Sequence, residues 1–288
     1  MSGAPPGGFD PTIADYYERA PEEARLAQGP FQLEELRTRE LIRRFALPPP
    51  ATVVDVGGAA GAYALWLAQA GYSVHLLDPV PRLVAEAQRR SAAAQHPLAS
   101  CRIGDARTLD IAPETADVVL LLGPLYHLTE AGDRARALRE AARILKPDGR
   151  AIVMLYHRGS YNYRIGIRVL RRAGAGLLKS EGGIKIVHSL TGEPIDSLRE
   201  HARLAKANGG SWADDFLSQS TDGAGNPLAR VYSRREARDL FRDFRKVELR
   251  AYFLNKRFIP LIGNLLPRSI ESALAARWGW HLWIYATK

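Results

Sequence analysis

Short apolar runs alternate with helical patterns between residues 52 and 156, and no other feature constrains the fold as strongly. The runs have the length of strands, and helical patterns of about 10–15 residues separate most of them. Strands and helices in this order form βαβ units with right-handed crossovers. The sequence therefore predicts an α/β fold whose parallel strands are Thr52–Val56, Ser73–Leu77, Ala99–Ile103, Asp117–Leu122 and Ala151–Tyr156.

Glycine and proline mark where the helices and turns of this segment begin and end. A glycine cluster opens the first helix, which ends at Gly71, and Pro81 begins the second helix at a position where proline is tolerated. A further helix is predicted from about Glu130 to Leu145. The residues Lys146-Pro147-Asp148-Gly149 then predict a turn before the fifth strand.

The segments on either side of this alternation complete the predicted organisation. Residues 1–11 are rich in Gly and Pro and predict a disordered start, and a helical pattern runs from Ile13 to about Ala46. Residues 157–232 interrupt the rhythm and contain no apolar cluster large enough for a separate core. The predicted regions are an N-terminal arm and helical lid (1–47), an α/β core (48–156), an insertion (157–232) and a C-terminal completion of the sheet (233–288).

The C-terminal region predicts one helix and two closing strands. Ser233 and Glu236 have the spacing of a capping box, which predicts a helix that runs to about Phe244. The closing strands are predicted at Lys246–Phe253 and Trp280–Thr287, joined by an apolar connector around residues 258–279.

Composition and charge exclude several classes of protein. The single cysteine, Cys101, excludes an internal disulfide framework and a cysteine-based zinc site, and His188, His201 and His281 have no spacing that indicates a metal site. No apolar run approaches the roughly 18–20 residues of a membrane span, and the first residues lack a signal-peptide pattern, so a cytoplasmic location is expected. The 40 Lys and Arg residues exceed the 31 Asp and Glu residues, which gives a moderate net charge of +9.

The residues with the strongest chemical signal follow the first three strands. Asp55 is followed by Gly57, Gly58 and Gly61, and Asp78 and Asp105 end the next two strands. Glycines let the backbone approach a ligand, a helix N-terminus favours its negative end, and a carboxylate after the second strand binds ribose hydroxyls. In the alternative interpretation the glycines serve only in turns and the aspartates only as helix caps. This interpretation explains each residue singly but not their combination. A nicotinamide-dependent enzyme remains an alternative, although its usual glycine spacing differs.

These motifs resemble those of the class I S-adenosylmethionine-dependent methyltransferases, strongly over residues 50–156 and by pattern over residues 233–288. Asp55, Gly57, Ala59 and Gly61 match the family's first motif, with Ala59 in place of the middle glycine. The sequence from Asp117 to Leu128 resembles the fourth motif of small-molecule methyltransferases related to those of quinone biosynthesis, the type 11 and type 25 group. Leu145–Gly149 is similar to the turn before their fifth strand.

The resemblance implies a fold, a cofactor and a set of residues that bind it. The fold is a Rossmann-like, doubly wound sheet of seven strands in the order 3-2-1-4-5-7-6, with the last strand antiparallel. The cofactor is S-adenosyl-L-methionine and the product S-adenosyl-L-homocysteine. Asp78 would hold the ribose and Asp105 the adenine amine, with the Ala106 N–H beside it. The implied cofactor-binding residues are Tyr16, Arg37, Asp55, Gly57, Gly58, Ala59, Gly61, Asp78, Pro79, Gly104, Asp105, Ala106, Leu122 and Gly123.

Catalysis would then consist mainly of aligning an acceptor O, N or C atom with the S–CH₃ bond. Tyr126 and His127 follow the fourth strand and His157 follows the fifth, so these three are the candidate catalytic residues, with His127 first as a general base. Tyr16 and Arg37 belong to the lid, where Arg37 is a candidate partner for the methionine carboxylate. The alternative for Arg37 is a solvated helix face with ordinary Glu–Arg pairs.

The acceptor is expected to be a small molecule, lipophilic or anionic, bound by the insertion and the lid. Basic residues are concentrated in residues 158–179 and 230–250, which keeps open an RNA substrate or a peripheral membrane contact. An RNA methyltransferase and a non-catalytic, cofactor-binding regulatory subunit are the alternative functions. A nucleic-acid partner is disfavoured because Gly123-Pro124-Leu125-Tyr126 stands where base-modifying relatives carry Asn- or Asp-Pro-Pro-Tyr. The chain is expected to be a monomer or a homodimer.

Overall fold

The structure, a computed structural model, describes most of the chain and divides it into two compact units. It describes residues 11–19, 31–128, 130–160, 177–178, 180–191, 195–196, 198–199, 202–203, 229–254 and 267–288. The first unit consists of Met1–Leu155, Arg238–Leu249 and Trp283–Lys288, and the second of Tyr156–Ala237 and Arg250–Leu282. The disordered start predicted for residues 1–11 falls outside the described residues except for Pro11, which begins a helix.

Two helices precede the sheet. They are α1, Pro11–Arg19, and α2, Phe31–Phe45. Residues 20–30 of the predicted helical pattern lie outside the described residues. In α2, Leu41 and Ile42 are buried whereas Leu36 is 64% exposed, so the helix presents one apolar face to the core of the first unit.

The α/β segment has the alternating order that the sequence predicts. Its elements are β1 (Thr52–Val56), α3 (Ala62–Gln69), β2 (Ser73–Asp78), α4 (Pro81–Ala92), β3 (Ser100–Ile103), β4 (Ala116–Leu121), α5 (Pro124–His127), α6 (Ala131–Ile144) and β5 (Leu145–His157). The short helix α5 is an addition to the prediction. It begins at a proline, whose missing N–H costs nothing in the first turn.

The remaining described elements lie in the second half of the chain. They are α7 (Glu181–Thr191), β6 (Val231–Tyr232), α8 (Arg234–Leu240), β7 (Lys246–Tyr252), α9 (Arg268–Trp278) and β8 (His281–Thr287). The predicted capping box is confirmed. The backbone N–H of Glu236 donates to the Ser233 hydroxyl at 3.2 Å, and that of Ser233 donates to the Glu236 carboxylate at 2.8 Å.

The strands form a sheet in the order β3-β2-β1-β4-β5-β8-β7, with β6 paired to β5. Apart from the two-residue β6, this is the predicted order of seven strands. Strands β1 to β5 pair in parallel. The last strand runs antiparallel to β5, because Lys288 at its end bonds Gly149 near the start of β5, whereas Trp280 before its start bonds His157 at the end of β5.

The predicted turn at Lys146–Gly149 is wrong in detail, because these residues belong to β5. Ala116 pairs with Leu145 and Val118 with Arg150, so residues 146–149 bulge opposite the single residue Asp117. The Lys146 ammonium donates to both oxygens of Asp117 at 2.9 Å, and the Thr52 backbone N–H donates to one of them at 2.7 Å. These bonds attach the bulge to the neighbouring strands.

Each unit has buried apolar residues of its own. In the first unit the central strands β1 and β4 are almost wholly buried, and β5 is buried from Ala151 onward. In the second unit Leu178, Ile184, Val187 and Leu198 form a small buried cluster. Within the described part of the chain, no helix is both long enough and apolar enough to cross a membrane.

Candidate functional site

A tight loop of residues 57–61 connects β1 to α3 and depends on glycine. Gly57 and Gly61 have φ angles of 75° and 80°, in the left-handed region that side chains disfavour. A Cβ atom at Gly57 would also lie 2.7 Å from Cγ of Pro124, the first residue of α5. The loop after β1 and the short helix after β4 are therefore in direct contact. Ala59 holds a φ of 47° without being glycine.

Gly57→Ala is expected to destabilise the protein by about 2 kcal/mol or more, because a left-handed alanine costs about 1–2 kcal/mol and its methyl group would overlap Pro124. Gly132→Ala is the matched control, since no atom of the described residues beyond its own helical turn lies within 4 Å of its Cβ position and its φ is not left-handed. That change in α6 should be neutral or stabilising. Urea denaturation of both variants measures the difference. Equal midpoints for the two variants would contradict the geometry assigned to Gly57.

Asp78 at the end of β2 fastens the glycine loop to the next helix. Its Oδ2 accepts the backbone N–H of Ala59 at 2.8 Å, and its Oδ1 accepts that of Val80 at 2.9 Å. The carboxylate is 5% exposed. Each oxygen has a second lone-pair direction, so the group retains the capacity to accept hydroxyl groups from a ligand. The half-buried Pro79 lies between Asp78 and Val80.

Asp55 is a buried carboxyl group beside the same loop. It is 2% exposed, and among the described residues its Oδ2 atom has no hydrogen-bond partner. A Cβ atom at Gly58 would lie 2.8 Å from this oxygen, so the absence of a side chain at Gly58 makes room for it. Burial, and to a lesser extent the negative charge of Asp78, raise the pKa of Asp55 from 3.8 to about 7.

Asp105 follows β3 and is held by an arginine that the sequence analysis did not single out. Both carboxylate oxygens accept hydrogen bonds from the Arg107 guanidinium group, the closest at 2.5 Å, and Arg107 also donates to Asp133 in α6 at 2.8 Å. All three side chains are largely buried. Gly104 bonds the Asp78 carbonyl at 3.1 Å, and Ala106 is buried. The spacing Asp105-x-Arg107 was the only available signal for this pair.

The segment after β4 contains Tyr126 and His127, and His127 lies next to Tyr17 of helix α1. Leu122 and Gly123 are half-buried and lead into α5, in which Tyr126 is buried. The hydroxyl group of Tyr17 lies 2.9 Å from Nε2 of His127. The two rings meet edge to face with centroids 5.5 Å apart, and the Tyr126 ring lies 4.5 Å from the His127 ring.

Helix α1 packs against the glycine loop through Tyr17. This side chain packs against the buried cluster of Ala60, Val80 and Leu83, as Ala59 also does. The Arg82 guanidinium group donates to the Tyr17 carbonyl at 2.9 Å. Tyr16, which is predicted to contact the cofactor, meets Tyr17 edge to face, with the two ring centroids 5.1 Å apart.

Two predicted site residues are engaged elsewhere. Arg37 is exposed and pairs at 3.0 Å with Glu40 on its own helix α2, and among the described contacts none joins it to the glycine loop. His157 belongs to the second unit, where it is 3% exposed and its Nδ1 lies 2.9 Å from the Gly279 carbonyl. A Cβ atom at Gly159 would lie 2.7 Å from its Nε2. The predicted roles of both residues remain predictions.

Residues 54–153 match the family described as Methyltransferase domain, the type 11 group. A curated relative, the ubiquinone/menaquinone biosynthesis C-methyltransferase UbiE of Rubrivivax gelatinosus, is 28% identical over 156 residues, which covers 52% of this chain and 59% of that protein. The chain thus spans less than two thirds of the length of the curated relative that it matches.

Two solved structures share the fold. A methyltransferase of Thermotoga maritima that uses S-adenosylmethionine, a possible histamine N-methyltransferase, has a TM-score of 0.55 at 17% identity, covering 96% of this chain and 99% of that chain. A Methanosarcina mazei methyltransferase with the same cofactor has a TM-score of 0.53 at 16% identity, covering 86% and 96%. Over residues 54–153 the chain thus resembles a methyltransferase domain, and its fold is that of these two methyltransferases.

Proposed function

We propose that the protein transfers the methyl group of S-adenosylmethionine to an O, N or C atom of a small molecule by in-line displacement. The observation that carries this proposal is the buried oxygen of Asp55 beside the glycine loop, which has no hydrogen-bond partner among the described residues and lies at the sheet edge that also holds Asp78. Two neighbouring carboxyl groups in a buried place indicate a site for a positively charged ligand. The family match supplies the identity of that ligand.

The residues present fit this cofactor. S-Adenosylmethionine carries a sulfonium and an ammonium group, and a cation near Asp55 would favour its ionised form and offset the cost of burying it. When bound, the cofactor supplies a methyl group that is already electrophilic. Asp78, fixed by two backbone N–H groups, would accept the ribose hydroxyls with its remaining lone pairs. Asp105, oriented by Arg107, would face the adenine amine.

The chain's own contribution to the reaction would be alignment, exclusion of water and removal of a proton. Alignment of this kind supplies on the order of 7–11 kcal/mol in well-oriented reactions. Helix α1 covers the glycine loop through Tyr17. His127 would take the proton of a hydroxyl or ammonium acceptor, with Tyr126 packed against its ring. A nucleophilic carbon that carries no acidic proton would need no such base.

The acceptor is proposed as a small molecule bound with the help of residues 157–232. The names of the relatives differ in the acceptor atom, since UbiE is a C-methyltransferase and the Thermotoga protein a possible N-methyltransferase. A lipophilic or anionic acceptor is compatible with the apolar and basic residues of this region. The basic residues in the segment 161–176 lie outside the described residues.

A labelling experiment tests this function. The full chain is incubated with S-adenosylmethionine that carries a trideuterated methyl group, together with a metabolite extract or, in a separate arm, total RNA. Mass spectrometry should detect S-adenosylhomocysteine and labelled small molecules, and Asp78→Asn should lower the yield of both when the cofactor concentration is below the dissociation constant of the wild type. Label confined to nucleosides from the RNA arm would replace the proposed function with RNA methylation. The absence of label in both arms, with cofactor bound, would favour a regulatory subunit.

A further inference from the structure

Tyr17 is the residue of α1 that touches both the glycine loop and the candidate base. Its side chain packs against the buried cluster of Ala60, Val80 and Leu83, and its hydroxyl group lies 2.9 Å from Nε2 of His127, 110 residues away in the chain. The two rings are nearly perpendicular, at 87°. One side chain therefore connects the loop after β1 with the helix after β4.

The position of the Tyr17 hydroxyl depends on where α1 lies. The Arg82 guanidinium group of α4 donates to the Tyr17 carbonyl at 2.9 Å, and the backbone N–H of Arg82 donates to the Glu18 carboxylate at 3.4 Å. These bonds hold the end of α1 against the N-terminus of α4. If α1 moved away from the loop, the hydroxyl group would leave His127.

We propose that Tyr17 is a positioning residue for His127, which holds the imidazole ring in the orientation and tautomer that a general base requires. This inference rests on the proposed function, because it assigns Tyr17 a part in the same reaction. The Nε2–H group of His127 donates to the phenol oxygen, and Nδ1 then carries the lone pair that takes the acceptor's proton. Nδ1 is buried in this structure, so the acceptor must displace the side chains that cover this atom. The opposite arrangement, with the phenol donating, would place the ring proton on Nδ1 and leave neither nitrogen able to act.

Under this proposal, α1 covers the cofactor and orients His127 at the same time. General bases are commonly oriented by a third group that bonds the ring nitrogen not used in proton transfer. Here that group belongs to α1, the same helix that packs on the glycine loop. His127 is consequently oriented only while α1 lies over the loop, so proton removal is confined to the closed arrangement.

Nitrogen-15 NMR of the histidine rings in the full chain, saturated with S-adenosylhomocysteine, tests this inference. The His127 signals are assigned by their loss in His127→Gln. The wild type should show His127 as a single neutral tautomer protonated on Nε2. Tyr17→Phe keeps the ring that packs on the loop but removes the hydroxyl group, and should turn this pattern into a mixture of tautomers. Tyr72→Phe is the matched control, because the Tyr72 hydroxyl group donates to the Leu47 carbonyl in the same unit, and it should leave the His127 signals unchanged.

The outcomes separate the inference from the proposed function. Unchanged His127 signals in Tyr17→Phe, or a wild-type ring protonated on Nδ1, would overturn the role of Tyr17 whatever the cofactor result. Failure of the wild type to bind S-adenosylhomocysteine would overturn the proposed function, whereas the Tyr17 contact would still be read from the NMR spectra of the free protein. A purely structural Tyr17 would alter stability but not the tautomer of His127.

Discussion

Asp78→Asn is expected to weaken the binding of S-adenosylmethionine by about tenfold or more. Hydrogen bonds to a charged group contribute about 1.5–3 kcal/mol, and a factor of ten in affinity corresponds to about 1.4 kcal/mol. The substitution removes the charge that would accept the ribose hydroxyls. It also places an amide group where the carboxylate now accepts the N–H groups of Ala59 and Val80. Isothermal titration calorimetry of both proteins gives the two dissociation constants.

The matched control for this change is Asp110→Asn. Asp110 belongs to the same unit, but its side chain is 94% exposed and pairs with Arg102 at the surface. Its substitution should leave the dissociation constant unchanged, because exposed ion pairs contribute little. Thermal melts confirm that both variants are folded at the temperature of the titration. Equal affinities for Asp78→Asn and the wild type would remove Asp78 from the cofactor site.

Asp55→Asn is expected to stabilise the free protein at neutral and higher pH while weakening cofactor binding. The pKa of Asp55 is about 7 in the folded protein against an ordinary value of 3.8. Between these values the unfolded chain has lost the proton that the folded protein still holds, so the wild type loses stability as pH rises. The loss is on the order of 1.4 kcal/mol for each pH unit between the two values. Asparagine does not ionise, so the variant does not lose stability in this way.

The two stability curves should therefore coincide below about pH 4 and separate up to about pH 7, with the variant more stable above. Urea denaturation across this range gives the free energies of unfolding. Equal free energies of unfolding for the wild type and Asp55→Asn at high pH would show that burial of the ionised Asp55 carboxyl group does not destabilise the protein. In calorimetry, cofactor binding to the wild type near pH 7 should release a proton, seen as a dependence of the heat on the buffer, and the variant should not.

The sheet and its carboxyl edge could be predicted from local patterns. Runs such as Thr52–Val56 are β-branched and apolar because both faces of a central parallel strand are buried. Parallel strands bring their carboxyl ends to one edge, so residues that end β1 and β2 come together wherever the strands pair. The register confirms this, because Val56 lies opposite Leu77 and Asp78 opposite Ile103.

Contacts between distant residues could not be predicted in this way. Tyr17 and Tyr16 are equivalent in local sequence, and only the packing of α1 on the loop distinguishes them. Arg37 has the residue type expected for a carboxylate partner, but a nearer partner, Glu40, lies one helical turn away. The sequence Lys-Pro-Asp-Gly at residues 146–149 is compatible with a turn and with a bulge in a strand. The ion pair that stabilises the bulge is made with Asp117 on another strand, which the local sequence does not show.

The sheet edge formed by Asp55, the glycine loop and Asp78 is expected to bind S-adenosylmethionine. The most direct measurement is a calorimetric titration of the full chain with S-adenosylmethionine, S-adenosylhomocysteine and NAD⁺ in parallel. We expect one molecule of each sulfur-containing ligand to bind per chain and to compete for the same site, and NAD⁺ to give no heat of binding. Binding of NAD⁺ with no response to S-adenosylmethionine would show that this edge is a nicotinamide site and that the protein is not a methyltransferase.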